Sequence, residues 1–295
     1  MYRATAVQWI AASDEWLKQQ SSKHGKLLQY QVSCLLYLAK RVNIVRKKRF
    51  WKESGGLVQN AIMDGLYHDK TSTVETPYMR EMKRRIWVVV RELDLQNALE
   101  YGFPSLLYNI TSATTPPANV NDNEFNEKSK ELPSSKSPMH YTSASYQYLS
   151  SLTWNLRLEI ARRLSNTELS KQSAYDDVLR YTHEVTKAIH SLPSWDKNEH
   201  GSEHDGGLSI LTYAYLYFQL GGCILALHRP HLQRDKGEFS ISGNICYNVA
   251  RDILLLNTRL AAMGLQSVTG LRDDLLGAAL CITHITMQQP PGKYF

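Results

Sequence analysis

Closely spaced cysteines are missing from this sequence of 295 residues. The four cysteines each stand in a separate apolar segment of helical character: Cys34, Cys223, Cys246 and Cys281. Because zinc fingers and zinc clusters take pairs of ligands only a few residues apart, local cysteine pairs cannot build one in this chain. We therefore expect four buried, reduced thiols, as in an intracellular protein, and neither a metal nor another cofactor.

Histidine sites and catalytic motifs are also scarce. Two histidine pairs, His200 with His204 and His228 with His231, have spacings that can bind a metal on a helix. Neither pair has an obvious carboxylate nearby to orient its rings, so structural or solvent-facing histidines are the favoured interpretation. The sequence has no nucleophile elbow, phosphate-binding loop or dinucleotide fingerprint. We predict no catalytic residue and no metal site.

Two pairs of adjacent aspartates raise one enzymatic alternative. Asp176-Asp177 and Asp273-Asp274 resemble the aspartates that hold magnesium and diphosphate in all-helical prenyl-diphosphate enzymes. Those enzymes need a third acidic residue one turn further along, and Arg180 and Gly277 occupy these places. The prenyl-diphosphate alternative is therefore not favoured, and we predict that the chain is not an enzyme.

Long uncharged runs are rare, and the N-terminus lacks the apolar centre of a secretory signal. The exception is residues 207–227, which carry no charge and are long enough to span a membrane. Gln219 and the pair Gly221-Gly222 interrupt this run, and a helix that is apolar on all sides also suits the centre of a large bundle. We favour a core helix over a membrane span and expect no membrane partner.

The composition itself is ordinary for a globular protein, with 43% hydrophobic and 21% charged residues. The net charge of +6 permits contact with nucleic acid or an acidic partner without demonstrating it. Five basic residues form a short patch: Arg46, Lys47, Lys48, Arg49 and Lys52. Such a patch is compatible with a nuclear import signal or a phosphate-contacting surface, and the favoured alternative is a solvated turn between two helices.

Apolar residues recur at helical spacing along most of the chain, so the predicted fold class is all-α, an irregular multi-helix stack or bundle. We assign residues 1–108 to an N-terminal helical part and residues 141–295 to a C-terminal helical part of the same domain. Between them, residues 109–140 form a long acidic loop rich in Pro, Asn and Ser. Few large apolar residues are available there to bury a core, so a mobile linker is expected, with an interaction or modification segment as the alternative.

One helix, predicted between Thr76 and Pro104, organises the N-terminal part. Its stripe repeats every three or four residues: Met79, Met82, Ile86, Val89, Leu93 and Asn97. Thr76 can cap the first turn, where Pro77 also fits, and Gly102 suits the left-handed residue that ends many helices. These signals define both ends of the helix.

The polar residues of this helix are arranged less regularly. Arg84 and Arg85 precede Trp87, and Asp94 stands three residues after Arg91, within reach of an ion pair. Spacing alone favours a half-buried bundle helix with a solvated charged side.

The residues of this helix and of the turn after it resemble the signature of a known protein family. The order Lys83-Arg84-Arg85-Ile86-Trp87, Asp94 and Gly102-Phe103-Pro104 resembles the signature of the fungal-specific transcription factor domain, the middle homology region of binuclear zinc-cluster regulators. This chain departs from the family pattern at Val88, where a second Trp is usual, and at Phe103, where Arg is usual. Segments outside the helix agree in order with the family: Gln31, Trp51, Ala61, Gly65, Leu66 and Leu227-His228-Arg229-Pro230.

The resemblance implies an all-α regulatory domain of a fungal transcription factor, acting in the nucleus. Its signature residues would be structural: Arg84, Arg85, Trp87, Asp94, Gly102 and Pro104. DNA would be read by a zinc module N-terminal to this chain, and zinc would be needed only there. The implied partners are the transcription machinery or co-regulator proteins, with a small-molecule inducer and a homodimer left open. The alternative is a helical interaction scaffold resembling a centromere-binding complex subunit of yeasts.

Overall fold

The computed structural model describes residues 2–20, 26–43, 50–69, 75–110, 114–166, 175–195, 207–232, 241–265 and 274–287. Within these ranges there are ten α-helices and no β-strand, so the all-α prediction is confirmed. The helices are α1 (Tyr2–Gln19), α2 (Lys26–Val42), α3 (Phe50–Met63), α4 (Pro77–Tyr101), α5 (Ser145–Leu152), α6 (Trp154–Ser165), α7 (Tyr175–His190), α8 (Leu208–His228), α9 (Ile241–Ala262) and α10 (Asp274–Met287). Two short 3-10 helices, Asp122–Glu124 and Arg229–His231, complete the secondary structure of the described residues.

The chain divides into two compact units, Met1–Leu152 and Thr153–Phe295. The sequence predicts that the C-terminal part begins at residue 141. In the structure α5 belongs to the N-terminal unit, because it packs against α4.

The N-terminal unit is built around α4. This helix packs against α2, α3 and α5, and α1 packs against α2. Both predicted end signals of α4 are present. The Met79 N–H donates to the Thr76 hydroxyl at 3.2 Å, and Gly102 adopts a φ of 68° while its N–H donates to the Ala98 carbonyl. A residue with a Cβ would be strained at that φ, so glycine suits the position.

The C-terminal unit is built around α8, the uncharged segment of the sequence. It packs against α6, α7, α9 and α10, and Gly221 lets α9 approach closely. A Cβ at Gly221 would lie 3.2 Å from Ile253 Cδ1, so a larger residue would push the helices apart. By length and composition, residues 208–231 form the one stretch of the described chain that could cross a membrane, with a mean hydropathy of 1.6. Of its apolar window, 61% is buried, and this burial together with four packing partners favours the core helix.

The sequence over residues 141–164 predicts a single helix, but the structure has two helices there, α5 and α6. Thr153 separates α5 from α6 with a φ of −98° and a ψ of 2°, and no Gly or Pro in the sequence marks the break. The first helix begins only at Ser145, because the residues before it are hydrogen-bonded to the loop. The Thr142 hydroxyl donates to Asn119 Oδ1 at 2.7 Å, and the Ser143 N–H donates to Asn121 Oδ1 at 3.1 Å. The Thr142 N–H donates to the Ser145 hydroxyl at 2.8 Å.

Candidate functional site

The polar side chains of α4 form one connected cluster with the segments on either side of it, and we treat this signature cluster as the candidate site. Arg85 is its centre. Its Nε donates to Glu81 Oε1 at 3.0 Å, its Nη1 pairs with Asp122, and its Nη2 donates to the Val120 carbonyl at 3.4 Å. The guanidinium also lies over the Phe125 ring, 5.0 Å from its centroid. One arginine thus binds the loop after α4 through three contacts, while its fourth contact, with Glu81, lies within the helix.

Glu81 is the buried counter-charge of this arginine. Its side chain is fully buried, and its Oε1 also accepts the Ala118 N–H at 3.1 Å. Burial raises the pKa of Glu81 above its ordinary value, although Arg85 and the Ala118 N–H act in the opposite direction. Arg84 adds a second cation 3.9 Å from the other carboxylate oxygen. The charge is tolerated because it is both paired and hydrogen-bonded.

Arg84 binds a different segment. Its Nε donates to Asp69 Oδ1 at 2.8 Å, and Asp69 Oδ2 accepts both the backbone N–H and the hydroxyl of Thr115, at 3.0 and 2.9 Å. Burial alone would raise the pKa of Asp69, but the hydrogen bonds from Arg84 and Thr115 together hold it below its ordinary value. The two adjacent arginines therefore connect α4 to the chain after α3 and to the chain after α4.

Trp87 is an anchor in the apolar part of the same helix. Its side chain is only 1% exposed, and its ring lies 6.3 Å from the Tyr67 ring. Tyr67 follows a turn in which Gly65 has a φ of 73°, so the end of α3 is folded back toward α4. Burial of this kind suits packing and leaves no indole surface for a ligand or for DNA.

Asp94 holds the chain that leaves α4. Its Oδ2 accepts the Ser105 hydroxyl at 2.5 Å and the Leu106 N–H at 3.2 Å, while no described residue donates to Oδ1. Burial raises the pKa of Asp94 to about 6, and the two hydrogen bonds only partly offset it. The expected ion pair with Arg91 is not formed, because Arg91 donates instead to the Ser151 hydroxyl of α5 at 2.7 Å.

The interpretation of a solvated charged side on α4 is therefore wrong. The sequence suggested exposure because charged residues on a helix are usually hydrated. Here five charged side chains are buried, since the loop after α4 and helix α5 pack against them: Glu81, Arg85, Arg91, Glu92 and Asp94.

The turn after α4 contains the most visible departure from the family pattern. Phe103 is 43% exposed, but one face of its ring lies 5.2 Å from the Trp51 ring of α3. The Trp51 Nε1–H donates to the Pro104 carbonyl at 3.2 Å. An aromatic contact between α3 and this turn therefore stands where the family has an arginine.

Asn97 is a buried hub that sequence reasoning missed, because it was counted with the apolar stripe. Its Nδ2 lies within hydrogen-bond distance of the Tyr37 hydroxyl at 2.8 Å, the Ser54 hydroxyl at 2.9 Å and the Leu93 carbonyl at 2.8 Å. It joins α2, α3 and α4 at one point. The sequence did contain a signal for this hub, because Asn97 is a polar residue at a position of the helical repeat that is otherwise apolar.

The loop predicted to be a mobile linker is packed where the structure describes it. Its organiser is Asn119, fully buried, whose Nδ2 lies 3.1–3.3 Å from three carbonyl oxygens: Lys136, Ser137 and His140. Its Oδ1 accepts the hydroxyls of Thr142 and Ser145 at 2.7 and 3.0 Å. The prediction considered only apolar burial, whereas the hydrogen bonds of Asn119 and the contacts of Arg85 hold this loop.

The predicted basic patch lies mostly outside the described residues, which omit positions 44–49. Of its members only Lys52 is described, and it is exposed on α3. The pair His200 and His204 also lies outside the described residues.

His228 is described, and both of its ring nitrogens have hydroxyl partners. The Thr182 hydroxyl donates to the Val178 carbonyl at 2.8 Å, so its oxygen must accept from His228 Nε2, also at 2.8 Å. Nδ1 is then the unprotonated nitrogen, and it accepts the Ser242 hydroxyl at 3.0 Å. Burial, with the nearby His231, lowers the pKa of His228 to about 4. The ring is a neutral structural link rather than a metal ligand.

A zinc cluster of the kind that the resemblance implies does not fit this chain's own cysteines. The four cysteines lie on separate helices, α2, α8, α9 and α10, and all are buried free thiols. Among the described residues, no three His, Cys, Asp or Glu side chains converge in a way that could hold a metal ion. The signature cluster therefore has the chemistry of a structural tether, because Arg84, Arg85 and Asp94 each bind a chain segment outside α4.

The chain is similar to named fungal transcription factors over most of its length. Over 252 residues the chain is 30% identical to the transcription factor opdR of Penicillium oxalicum, covering 83% of this chain and 32% of that protein. It is 26% identical over 314 residues to the transcription factor lepE of Aspergillus flavus, covering 98% of this chain and 36% of that protein. The Zn(2)-C6 fungal-type transcription factor pigI of Monascus ruber is 23% identical over 210 residues, covering 69% of this chain and 25% of that protein.

The chain spans about a third of the length of the curated relatives that it matches first. No family model matches it. No solved structure matches it either. The relatives are named transcription factors and not enzymes. The chain is thus a homologue of fungal transcription factors, including one named for the Zn(2)-C6 class.

Proposed function

We propose that this chain is the regulatory domain of a fungal transcription factor and corresponds to the middle homology region of the zinc-cluster class. The supporting observation is the agreement of two independent features. The relatives are transcription factors about three times as long as the matched segment, and the signature residues of α4 form a buried tether rather than a catalytic or DNA-contacting surface.

In this proposal DNA is read by a zinc module carried outside the present chain, and this domain sets the output of the factor in the nucleus. Co-regulator proteins or the transcription machinery would be its partners. The domain itself would use no zinc, since its cysteines are dispersed over four helices. Its own affinity for DNA would be weak and salt-dependent, with dissociation constants on the order of 10⁻⁴–10⁻⁶ M and no sequence preference.

The test is a fusion of the chain behind an unrelated DNA-binding domain, assayed on a reporter in a fungal host at matched expression. We expect the fusion to change reporter output relative to the DNA-binding domain alone. Trp87→Ala should abolish the change by disrupting the fold. The double substitution Glu81→Gln with Arg85→Met removes both charges together and should preserve the change in reporter output.

Equal output from the fusion and from the DNA-binding domain alone, across varied nutrients, would count against a regulatory role. Tight and sequence-selective DNA binding by the unfused chain would contradict the proposed division of labour. Fluorescence anisotropy with unrelated DNA duplexes at two salt concentrations measures this second point directly.

A further inference from the structure

Two thiols meet inside the C-terminal unit, away from the signature cluster. Cys246 lies on α9 and Cys281 on α10, and both belong to the same buried apolar cluster. The two side chains are hydrogen-bonded to each other. The packing of α9 against α10 therefore brings together two cysteines that are 35 positions apart in the sequence.

A cation stands beside this pair. Arg229 follows α8 in the short 3-10 helix, and a Cβ built at Gly277 would lie 3.5 Å from its Nη2. Gly277 precedes Cys281 by one helical turn, so the two share a face of α10. The guanidinium lies close enough to favour the thiolate form of both cysteines.

The two thiols are not equivalent. The hydrogen bond from Cys246 lowers the pKa of Cys281, whereas the same bond, together with burial, raises the pKa of Cys246. Cys281 is also 9% exposed, whereas Cys246 is fully buried. Cys281 is therefore the better nucleophile, with Cys246 as the proton-bearing neighbour.

The remaining cysteines lie in different surroundings. Cys34 belongs to α2 of the N-terminal unit, where burial raises its pKa to about 12. Cys223 is fully buried in α8 and donates to the Gln219 carbonyl at 3.3 Å. These two thiols provide internal controls for any reaction of the pair.

We propose that Cys281 and Cys246 are a dithiol site that a hydroperoxide oxidises to a disulfide joining α9 to α10. The Cys281 thiolate attacks one peroxide oxygen, the O–O bond breaks, and the leaving oxygen takes up a proton as water or alcohol. The resulting sulfenic acid is attacked by the Cys246 sulfur, which gives up its proton, and a second water leaves as the S–S bond forms. The two sulfurs together lose two electrons, which the peroxide gains. This inference goes beyond the proposed regulatory function and does not depend on it.

The experiment uses the full 295-residue chain, reduced and then treated with hydrogen peroxide. Trypsin digestion without reductant should give a cross-linked product of residues 237–251 and 273–293, two hydrogens lighter than the sum of the separate peptides. Two of the four thiols should no longer react with a thiol reagent. Cys34→Ala should form the same cross-link and lose two of its three thiols. Circular dichroism before and after treatment shows whether the chain remains folded.

Two variants separate the roles of the cysteines. Cys246→Ala should accumulate a dimedone-reactive sulfenic acid on Cys281, and Cys281→Ala should form no cross-link. In the Cys246→Ala background, Arg229→Gln should slow sulfenic acid formation, and an unchanged rate would contradict the role given to the guanidinium. Peroxide that leaves both thiols free in the folded chain, or that modifies Cys34 as fast as Cys281, would overturn the proposal.

Discussion

The two units of this protein bury different chemistry. Around α4, the N-terminal unit encloses several charged side chains, among them Glu81, Arg85 and Asp94. Around α8, the C-terminal unit encloses an apolar cluster that extends from Ile210 to Ile285 and includes two thiols. One central helix organises each unit. Charged contacts are more prominent around α4, and apolar contacts are more prominent around α8.

This difference shows what each kind of core specifies. An apolar cluster stabilises the fold in proportion to the apolar area that it removes from water. Its positions tolerate many apolar side chains of similar size. A buried ion pair adds little net stability, because both charges lose water, but a wrong partner leaves an uncompensated charge. In the N-terminal unit, the buried charges therefore specify which loop packs against α4. In the C-terminal unit, packing depends on the size and shape of the apolar side chains.

The largest effect is expected at Trp87, the buried aromatic anchor of α4. Trp87→Ala removes a fully buried indole and should lower the free energy of unfolding by about 3–5 kcal/mol, as large-to-small core changes do. Trp9→Ala is the matched control, because Trp9 is 71% exposed on α1 and should change stability by no more than about 0.5 kcal/mol. Urea unfolding measures both. Equal effects of the two substitutions would show that α4 is not the centre of its unit.

The second test breaks the charged pair from one side. Arg85→Met leaves Glu81 buried without its main partner and should cost about 3–5 kcal/mol. Adding Glu81→Gln should recover part of this loss, because the pair is then removed together. Arg162→Met is the control, since the Arg162 side chain is 55% exposed and its pairing with Glu159 contributes little. A double variant as unstable as the single one would show that the charge pairing is not the cause.

The third test uses pH, because Asp94 and His228 respond in opposite directions. His228 has its pKa lowered from 6.5 to about 4, so the unfolded chain binds the extra proton and stability falls as pH drops through that window. Asp94 has its pKa raised from 3.8 to about 6, so the folded chain binds the extra proton and stability falls as pH rises through that window. Each effect reaches on the order of 3 kcal/mol over its full range, at 1.4 kcal/mol per pKa unit.

Amide hydrogen exchange, read separately in α4 and α8 between pH 4 and 6.5, distinguishes the two effects. His228→Gln should reduce the loss of stability that α8 shows as pH falls. Asp94→Asn should reduce the loss of stability that α4 shows as pH rises. Identical pH profiles in both helices would contradict the assignment of these titrations to separate units.

The smallest effect is expected at the turn after α4. Phe103→Ala removes the ring that packs on Trp51 and should cost about 1 kcal/mol, the usual size of an aromatic pair. A double-mutant cycle with Trp51→Ala isolates the coupling between the two rings. Coupling close to zero would show that the residue standing in the family's arginine position has no packing role.

The sequence predicted the helical class, the ends of α4 and the central place of α8, because each rests on local signals. Thr76 and Gly102 act within one turn of the helix, and an uncharged segment of that length favours burial wherever the fold puts it. The structural role of the six signature residues stays a prediction, which the Trp87 and Arg85 variants above test.

The sequence could not show that the charges of α4 are buried, because their partners come from distant segments. Arg85 meets Asp122 and Val120, which are 37 and 35 positions away, and Asn119 gathers carbonyls 17–21 residues further along. Nor could spacing bring Cys246 to Cys281, since that contact depends on how α9 packs on α10. Helical periodicity determined which segments are helices, whereas the tertiary structure decided which polar groups lose water, because only packing brings their partners within reach.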